Sequence, residues 1–274
     1  MTDALKRISA LARLVLLDGL RRHALMGLIV LSMAAQAGAL LFLDFIPRDI
    51  GRASSDFILS MAWLSGFIFL FFHGVQVIAL DEERKVIYSL LARPISRGEY
   101  VLGIFSGLAG LLLLLNLLLC GLGFGALLII KQMTPAYFSQ FNTLPYLLSW
   151  LGLFSMELML LSVILLFSGL VRGSFPVLLI SLSFYAICSG LPVVREAIGL
   201  QVLQTEPQPR LEAALRWLTS VFPDFDRLDF KNMIASSALL PDLSLLLINF
   251  GLTISYVGLF LWLACLVYQR KDLQ

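Results

Sequence analysis

Residues 81–100 read DEERKVIYSLLARPISRGEY and lie between two apolar runs, 57–80 and 100–130. About 20 mainly apolar residues suffice to cross a bilayer, so both runs qualify and the charged stretch is a loop at one membrane face. It carries its own short helix. Asp81, Glu82 and Glu83 stand where the positive end of a helix dipole would be, and Arg93 and Pro94 stand where that helix would stop. Between them Val86, Ile87, Leu90 and Leu91 share one face at helical spacing, with Arg84, Lys85 and Ser89 on other faces. The predicted helix, residues 82–93, is amphipathic and about three turns long. Directly after it, Ser96 and Glu99 have the Ser-x-x-Glu spacing of a capping box, flanked by Ile95 and Tyr100 as a hydrophobic staple. A second helix is predicted from Arg97. A helix held between a proline stop and a capped restart keeps a fixed angle to the spans, and so it can transmit force.

Working outward, composition sets the class. Hydrophobic residues make up 59% of the 274, charged residues only 14%, and the mean hydropathy is +0.91. A soluble globular chain carries roughly a quarter charged residues, so that class is excluded. The expected fold is all-α: a polytopic membrane protein with six transmembrane helices near 24–43, 57–80, 100–130, 145–171, 175–194 and 243–268. These spans and their loops occupy nearly the whole sequence. Energising machinery on the aqueous side is therefore expected on another chain.

Basic residues near the span ends set the orientation. With the N-terminus inside, twelve Lys and Arg fall on the inner side and eight on the outer side, five of those eight within the long segment 195–242. The bias predicts both termini in the cytoplasm, as in a multi-pass protein of the cytoplasmic (inner) membrane, and it puts the 81–100 loop there too.

Two domains of unequal size are expected, an interfacial helix over 1–23 and a transmembrane domain over 24–274. Leu5, Ile8, Leu11, Ala12, Val15 and Leu16 lie on one helical face while Lys6, Arg7, Arg13 and Arg21 lie largely elsewhere, which suits a helix in the inner headgroup layer of membrane lipid. A cleavable signal peptide is the competing reading, because Ala35-Gln36-Ala37 resembles a cleavage site. The long basic segment ahead of it, and the apolar residues that continue through Leu40, Leu41 and Phe42, argue against cleavage.

Polar residues inside the spans are the pathway candidates. Glu157 is the one carboxylate within a span, where insertion costs roughly 2.5 to 3.5 kcal/mol and usually marks a pathway, a relay or a buried partner. No span holds a Lys or Arg to neutralise it, so His73 or a polar cavity is its expected neighbour. His73 and Gln76 line a pathway or, as polar residues in bundles more often do, hydrogen-bond a neighbouring helix. Gly103, Gly107, Gly110, Gly121, Gly123 and Gly125 allow close helix approach, first of all within one subunit. In 195–242, Trp217, Phe222, Phe225 and Phe230 mix with acids and prolines: a gate or docking surface on the outer face, or a lid over the bundle ends. Residues 193–203 are apolar enough to re-enter the bilayer where protein covers their backbone.

No catalytic or metal-binding pattern accompanies these features. Phosphate-binding, zinc-hydrolase and serine-nucleophile motifs are absent, and Cys120, Cys188 and Cys265 sit in apolar spans without ligand spacing. No cofactor and no nucleic acid is expected on this chain. An intramembrane enzyme would have only Glu157 and His73 to work with.

The arrangement resembles the ABC-2 type permeases, membrane subunits of ATP-binding-cassette transporters, along the whole chain. The family's motif is an acidic-Glu-Arg start, a leucine pair, Arg-Pro-x-Ser-Arg and a later glycine. Here it reads Glu82-Glu83-Arg84, Leu90-Leu91, Arg93-Pro94-Ile95-Ser96-Arg97 and Gly103, with Lys85-Val86 and Ile104 departing from the usual pattern. Residues 222–232 look like an element of the subgroup that includes permeases for multi-copper enzyme maturation. The resemblance implies that residues 82–93 are a coupling helix seated in a cytoplasmic ABC ATPase subunit, which would bind the ATP and Mg. It also implies a second permease subunit. On this reading Glu83, Arg84, Leu90, Leu91, Arg93 and Arg97 contact the ATPase or hold the loop in shape. Export is the leading function; the alternative is a mechanotransmitter acting on an extracytoplasmic accessory protein without carrying cargo.

Overall fold

The computed structural model describes residues 2–21, 27, 29–34, 50–78, 95–133, 135, 142–199, 217, 222–230 and 242–270. All regular structure among them is helical. Six long helices are labelled α1 (Thr2–Arg21), α2 (Ile50–Ile78), α3 (Arg97–Met133), α4 (Thr143–Leu170), α5 (Ser174–Gly199) and α6 (Leu243–Arg270). Among the described residues, α2 to α6 are the five helices long and apolar enough to cross a membrane. The first expected span, 24–43, lies mostly outside the described residues; its positions 29–34 are helical, and Ser32 is buried against α2 through a 3.2 Å hydrogen bond from Ser65. The expected coupling helix, 82–93, and most of the segment 195–242 also lie outside the described residues.

These helices solve a problem that hydrocarbon imposes, since no water is present to satisfy a stray polar group. Serines and threonines in the spans turn back onto carbonyls of the preceding turn: Ser55 donates to Gly51 O at 2.8 Å, Ser149 to Pro145 O at 2.9 Å and Thr253 to Asn249 O at 2.9 Å. At the start of α4, Asn142 Oδ1 accepts from the Leu144 N–H at 3.0 Å, an N-cap worth about 1 kcal/mol. α4 and α5 are joined by a turn in which Gly173 has φ of 98°, a left-handed conformation that glycine adopts without a Cβ clash. α2 and α4 occupy the centre of the bundle, whereas α5 and α6 leave most of their apolar surface exposed.

One departure from regular helix matters for the site. Within α2, residues Phe69–Gly74 form a π-helical segment, after which α-helix resumes through Ile78. Such segments are rare and are frequent at functional positions.

α1 exists as expected, but its apolar face meets protein. It runs beside α3 in the same direction and in constant register: Arg7 pairs with Glu99, Leu11 packs on Gly103, Val15 on Gly107, and Gly19 on Leu111. Leu11 and Val15 are buried as a result, while Leu5, Leu14 and Leu17 remain exposed. The glycines are what let the helices approach. A Cβ on Gly103 would lie 2.6 Å from Leu11 Cδ2, and one on Gly107 would lie 2.7 Å from Val15 Cβ and 2.9 Å from the Ala12 carbonyl oxygen. The same arrangement explains the length of α3: its 37 residues extend about 55 Å, against roughly 30 Å of hydrocarbon, and α1 covers its first turns.

The spans' glycines therefore divide into two classes that a stability measurement separates. Gly107→Leu should destabilise the protein by about 1–3 kcal/mol through overpacking against α1. Gly121→Leu, where a Cβ meets nothing within 4 Å, should leave the detergent melting temperature nearly unchanged. Equal shifts for the two variants would contradict the packing described.

Candidate functional site

Three features stand out, at three levels of the bundle. The first is a corner where α1, α3 and α6 meet. The capping box forms as the spacing predicts: the Ser96 N–H donates to Glu99 Oε2 at 2.9 Å, and the Glu99 N–H donates to Ser96 Oγ at 3.3 Å. Glu99 is also held by α1, whose Arg7 donates from Nε at 3.1 Å and from Nη2 at 2.6 Å in a two-pronged pair. The hydrogen bond to Glu99 raises the Arg7 pKa further above its already high ordinary value.

Next to it, Arg97 Nη1 donates to the Tyr268 and Gln269 carbonyls at 3.1 and 3.0 Å. These carbonyls lie in the last turn of α6, the negative end of its dipole, so the guanidinium caps that helix. Tyr100 is buried with its ring 6.2 Å from that of Tyr268, and the Tyr268 hydroxyl lies 3.3 Å from Ser168 Oγ in α4. The chain that follows residues 79–94 is thus fastened at once to the beginning of α1 and the end of α6, and through Tyr268 to the end of α4. Of the residues expected to contact an ATPase, Arg97 has this capping role. Glu83, Arg84, Leu90, Leu91 and Arg93 lie outside the described residues.

The second feature is at mid-bundle. Glu157 is 1% exposed and faces the interior, as expected, but its partner is not His73. Asn116 of α3 donates from Nδ2 to Glu157 Oε2 at 2.5 Å and to the Leu112 carbonyl at 3.0 Å. The other carboxyl oxygen, Oε1, is buried without a hydrogen-bond partner and presses on Gly66 of α2, where a Cβ would clash with it. Three helices thereby converge on one carboxyl group. His73 is buried in the π segment with its ring 5.0 Å from that of Phe69, and Gln76 is exposed. The sequence reading missed Asn116 and Gly66. The available signal was Asn116 itself, the sole carboxamide in the long apolar run 107–131.

The third feature occupies the end of the bundle opposite the corner. Residues 222–230 are seated among the helices there. Phe225 and Phe230 are buried; Phe222 and Phe230 pack on Phe184 of α5 and Phe250 of α6, with ring centroids 5.8 and 6.3 Å apart. The Leu228 carbonyl touches Gly152 of α4, and Asn249 of α6 donates to the Arg227 carbonyl at 3.2 Å. These aromatics anchor the segment from within, while Trp217 is 65% exposed. Beside the anchored segment is a cavity of about 1040 Å³ between α2, α4 and α5. In its aromatic wall Phe225 stacks on Tyr185 at 5.8 Å and Tyr185 lies tilted against Trp63 at 5.6 Å, and the row of rings continues along α2 through Phe67 to Phe71 in the π segment.

No protein-family model matches the chain, and no curated protein matches it.

The mid-bundle contact makes a defined prediction. Glu157→Gln keeps an acceptor for Asn116 and should fold with near-normal stability, whereas Glu157→Ala strands the buried carboxamide at a cost of about 1–3 kcal/mol. Gly66→Ala should destabilise the native chain but not the Glu157→Ala background, where the opposing oxygen is gone. Additive effects in that double-mutant cycle, read by thermal melting, would refute the contact.

Proposed function

We propose that this chain is a permease subunit of an ABC-2 type transporter, which takes work from a separate cytoplasmic ATPase and uses it for export across the inner membrane. On this reading 24–43 is a sixth span, α1 flanks the headgroup layer and both termini are cytoplasmic. A second permease subunit completes the unit. The ATPase holds the ATP and Mg.

The observation that carries the proposal is the corner at Ser96–Glu99. A loop that receives force needs a stiff exit, and this exit combines a reciprocal cap, a two-pronged ion pair to α1 and a guanidinium cap on α6. Displacement of residues 82–93 would reach three helices together instead of bending one linker. α2 supplies the second route, since it leads directly into residues 79–94 and its middle, at Trp63, lines the cavity. Support also comes from the motif residues Arg93-Pro94-Ile95-Ser96-Arg97, which stand where the family resemblance places the end of its coupling helix. The anchored aromatics favour a sealing role for 222–230 over a docking surface, and so favour export over force transmission to an outside partner.

Co-purification with the ATPase tests the reading. Replacing Leu90 and Leu91 together by Asp should weaken association by about 100-fold or more, because an unpaired charge in an apolar cleft costs several kcal/mol. Arg97→Ala should leave the ATPase bound but slow its turnover, since the α6 cap is lost and the contact face is not. Normal association of the double Asp variant would overturn the coupling-helix assignment.

A further inference from the structure

The Glu157 carboxyl group is served by a donor on one side and left bare on the other. Oε2 accepts from Asn116 Nδ2 at 2.5 Å, whereas Oε1 is buried against Gly66 with no hydrogen-bond partner among the described residues. An ionised carboxylate only accepts, and its two oxygens have room for about four donors. One donor reaches this one, from an amide that also serves the Leu112 carbonyl.

The surroundings offer no compensating charge. Among the described residues Glu157 makes no ion pair. Of the helices around it, α2 presents His73 seven residues beyond Gly66, about 10 Å along the axis, with its ring on Phe69. α3 presents Cys120 one turn past Asn116, and α4 itself presents Tyr146, which donates to the Cys120 carbonyl. α5 presents Tyr185 against Phe67, and α6 presents Tyr256 against Phe260. Cys and Tyr are uncharged at neutral pH. The Asp, Glu, Lys and Arg of α2, α3, α5 and α6 lie ten or more residues from these positions, towards the helix ends. Asp224 and Asp229, in the segment that touches Gly152, have the wrong sign to balance a carboxylate.

A carboxylate placed in an apolar interior on these terms takes up a proton instead of keeping its charge. The neutral acid matches the two unlike sides of the site. Oε2 becomes a carbonyl oxygen that accepts from Asn116, and Oε1 becomes a hydroxyl set against the bare backbone at Gly66, where helix carbonyls keep a second lone pair.

We propose that Glu157 is a proton-binding site, held as a neutral carboxylic acid at pH 7 with its proton on Oε1 facing α2 and its carbonyl oxygen held by Asn116. Ionisation would leave a charge pressed on Gly66, so closure of α2 on α4 and retention of the proton go together. The site is independent of the coupling proposal, because it is measured on this chain without an ATPase.

Infrared spectroscopy reads the proton directly. In an ester-free detergent at pH 7 the protein should show the C=O stretch of a protonated carboxylic acid, above the amide and carboxylate bands. Labelling the glutamate carboxyl carbons with carbon-13 should lower its frequency, and Glu157→Gln should remove it. Asn116→Ala frees Oε2 and should raise the frequency of the band. A second measurement uses stability. The folded chain keeps the proton while the unfolded chain ionises in the ordinary carboxylate range, so stability falls as pH rises. Between about pH 5 and 7 the unfolding constant of the native chain should grow about tenfold per pH unit relative to that of Glu157→Gln. Absence of a labelled acid band, its survival in Glu157→Gln, a band unmoved by Asn116→Ala, or the same pH dependence in both chains would each overturn the proposal.

Discussion

The Glu99 carboxylate is the constraint on which the loop end of the bundle depends. It closes the cap at the start of α3 and at the same time receives both prongs of Arg7 from α1. Because α1 and α3 run in parallel with one constant offset, this pair sets the register for every contact above it, from Leu11 on Gly103 to Gly19 on Leu111. A one-turn slip would carry Leu11 onto Gly107 and leave Arg7 opposite Gly103, with its charge facing no acceptor. The ion pair therefore acts more as a register mark than as a source of stability, consistent with the modest worth of partly exposed pairs.

Sequence was most informative where the interaction is local. The capping box was legible because its two partners are three residues apart and the geometry follows from the spacing. The five spanning helices were legible because hydrocarbon admits few alternatives. What could not be read was which surfaces meet. The periodicity of α1 identified the apolar face carrying Leu11 and Val15, but a face suited to lipid is equally suited to a neighbouring helix. Phe225 and Phe230 could be read as part of a gate, a docking surface or a lid, and their burial was not legible, since burial of an aromatic outside the long helices depends on the helices around it. Asn116 is uncharged, so its place in an apolar helix does not demand a counter-charge and does not point to its partner. Its partner lies 41 positions away, a distance over which no spacing rule operates.

Glu157 and Gly66 show how a membrane bundle can carry a costly group without a counter-charge. One oxygen is served by a carboxamide, and the other is accommodated by the absence of a side chain on the facing helix. Packing at this level is thus specified by complementarity of shape as much as by hydrogen bonding. Small residues do the same at the α1–α3 seam, at Gly123 against Ile58, and at Gly169 against Tyr268. In lipid, where burying apolar surface between helices gains little, such close approach is the main source of cohesion.

The π segment in α2 has a consequence for how the two ends of the molecule are connected. Residues Phe69–Gly74 hold one residue more than an α-helical turn would, which twists everything beyond them by about 100° relative to Trp63. α2 therefore turns one face to the cavity at Trp63 and a face offset by about one residue's rotation to its neighbours before residue 79, so its two halves pack in orientations that an uninterrupted α-helix would not allow together.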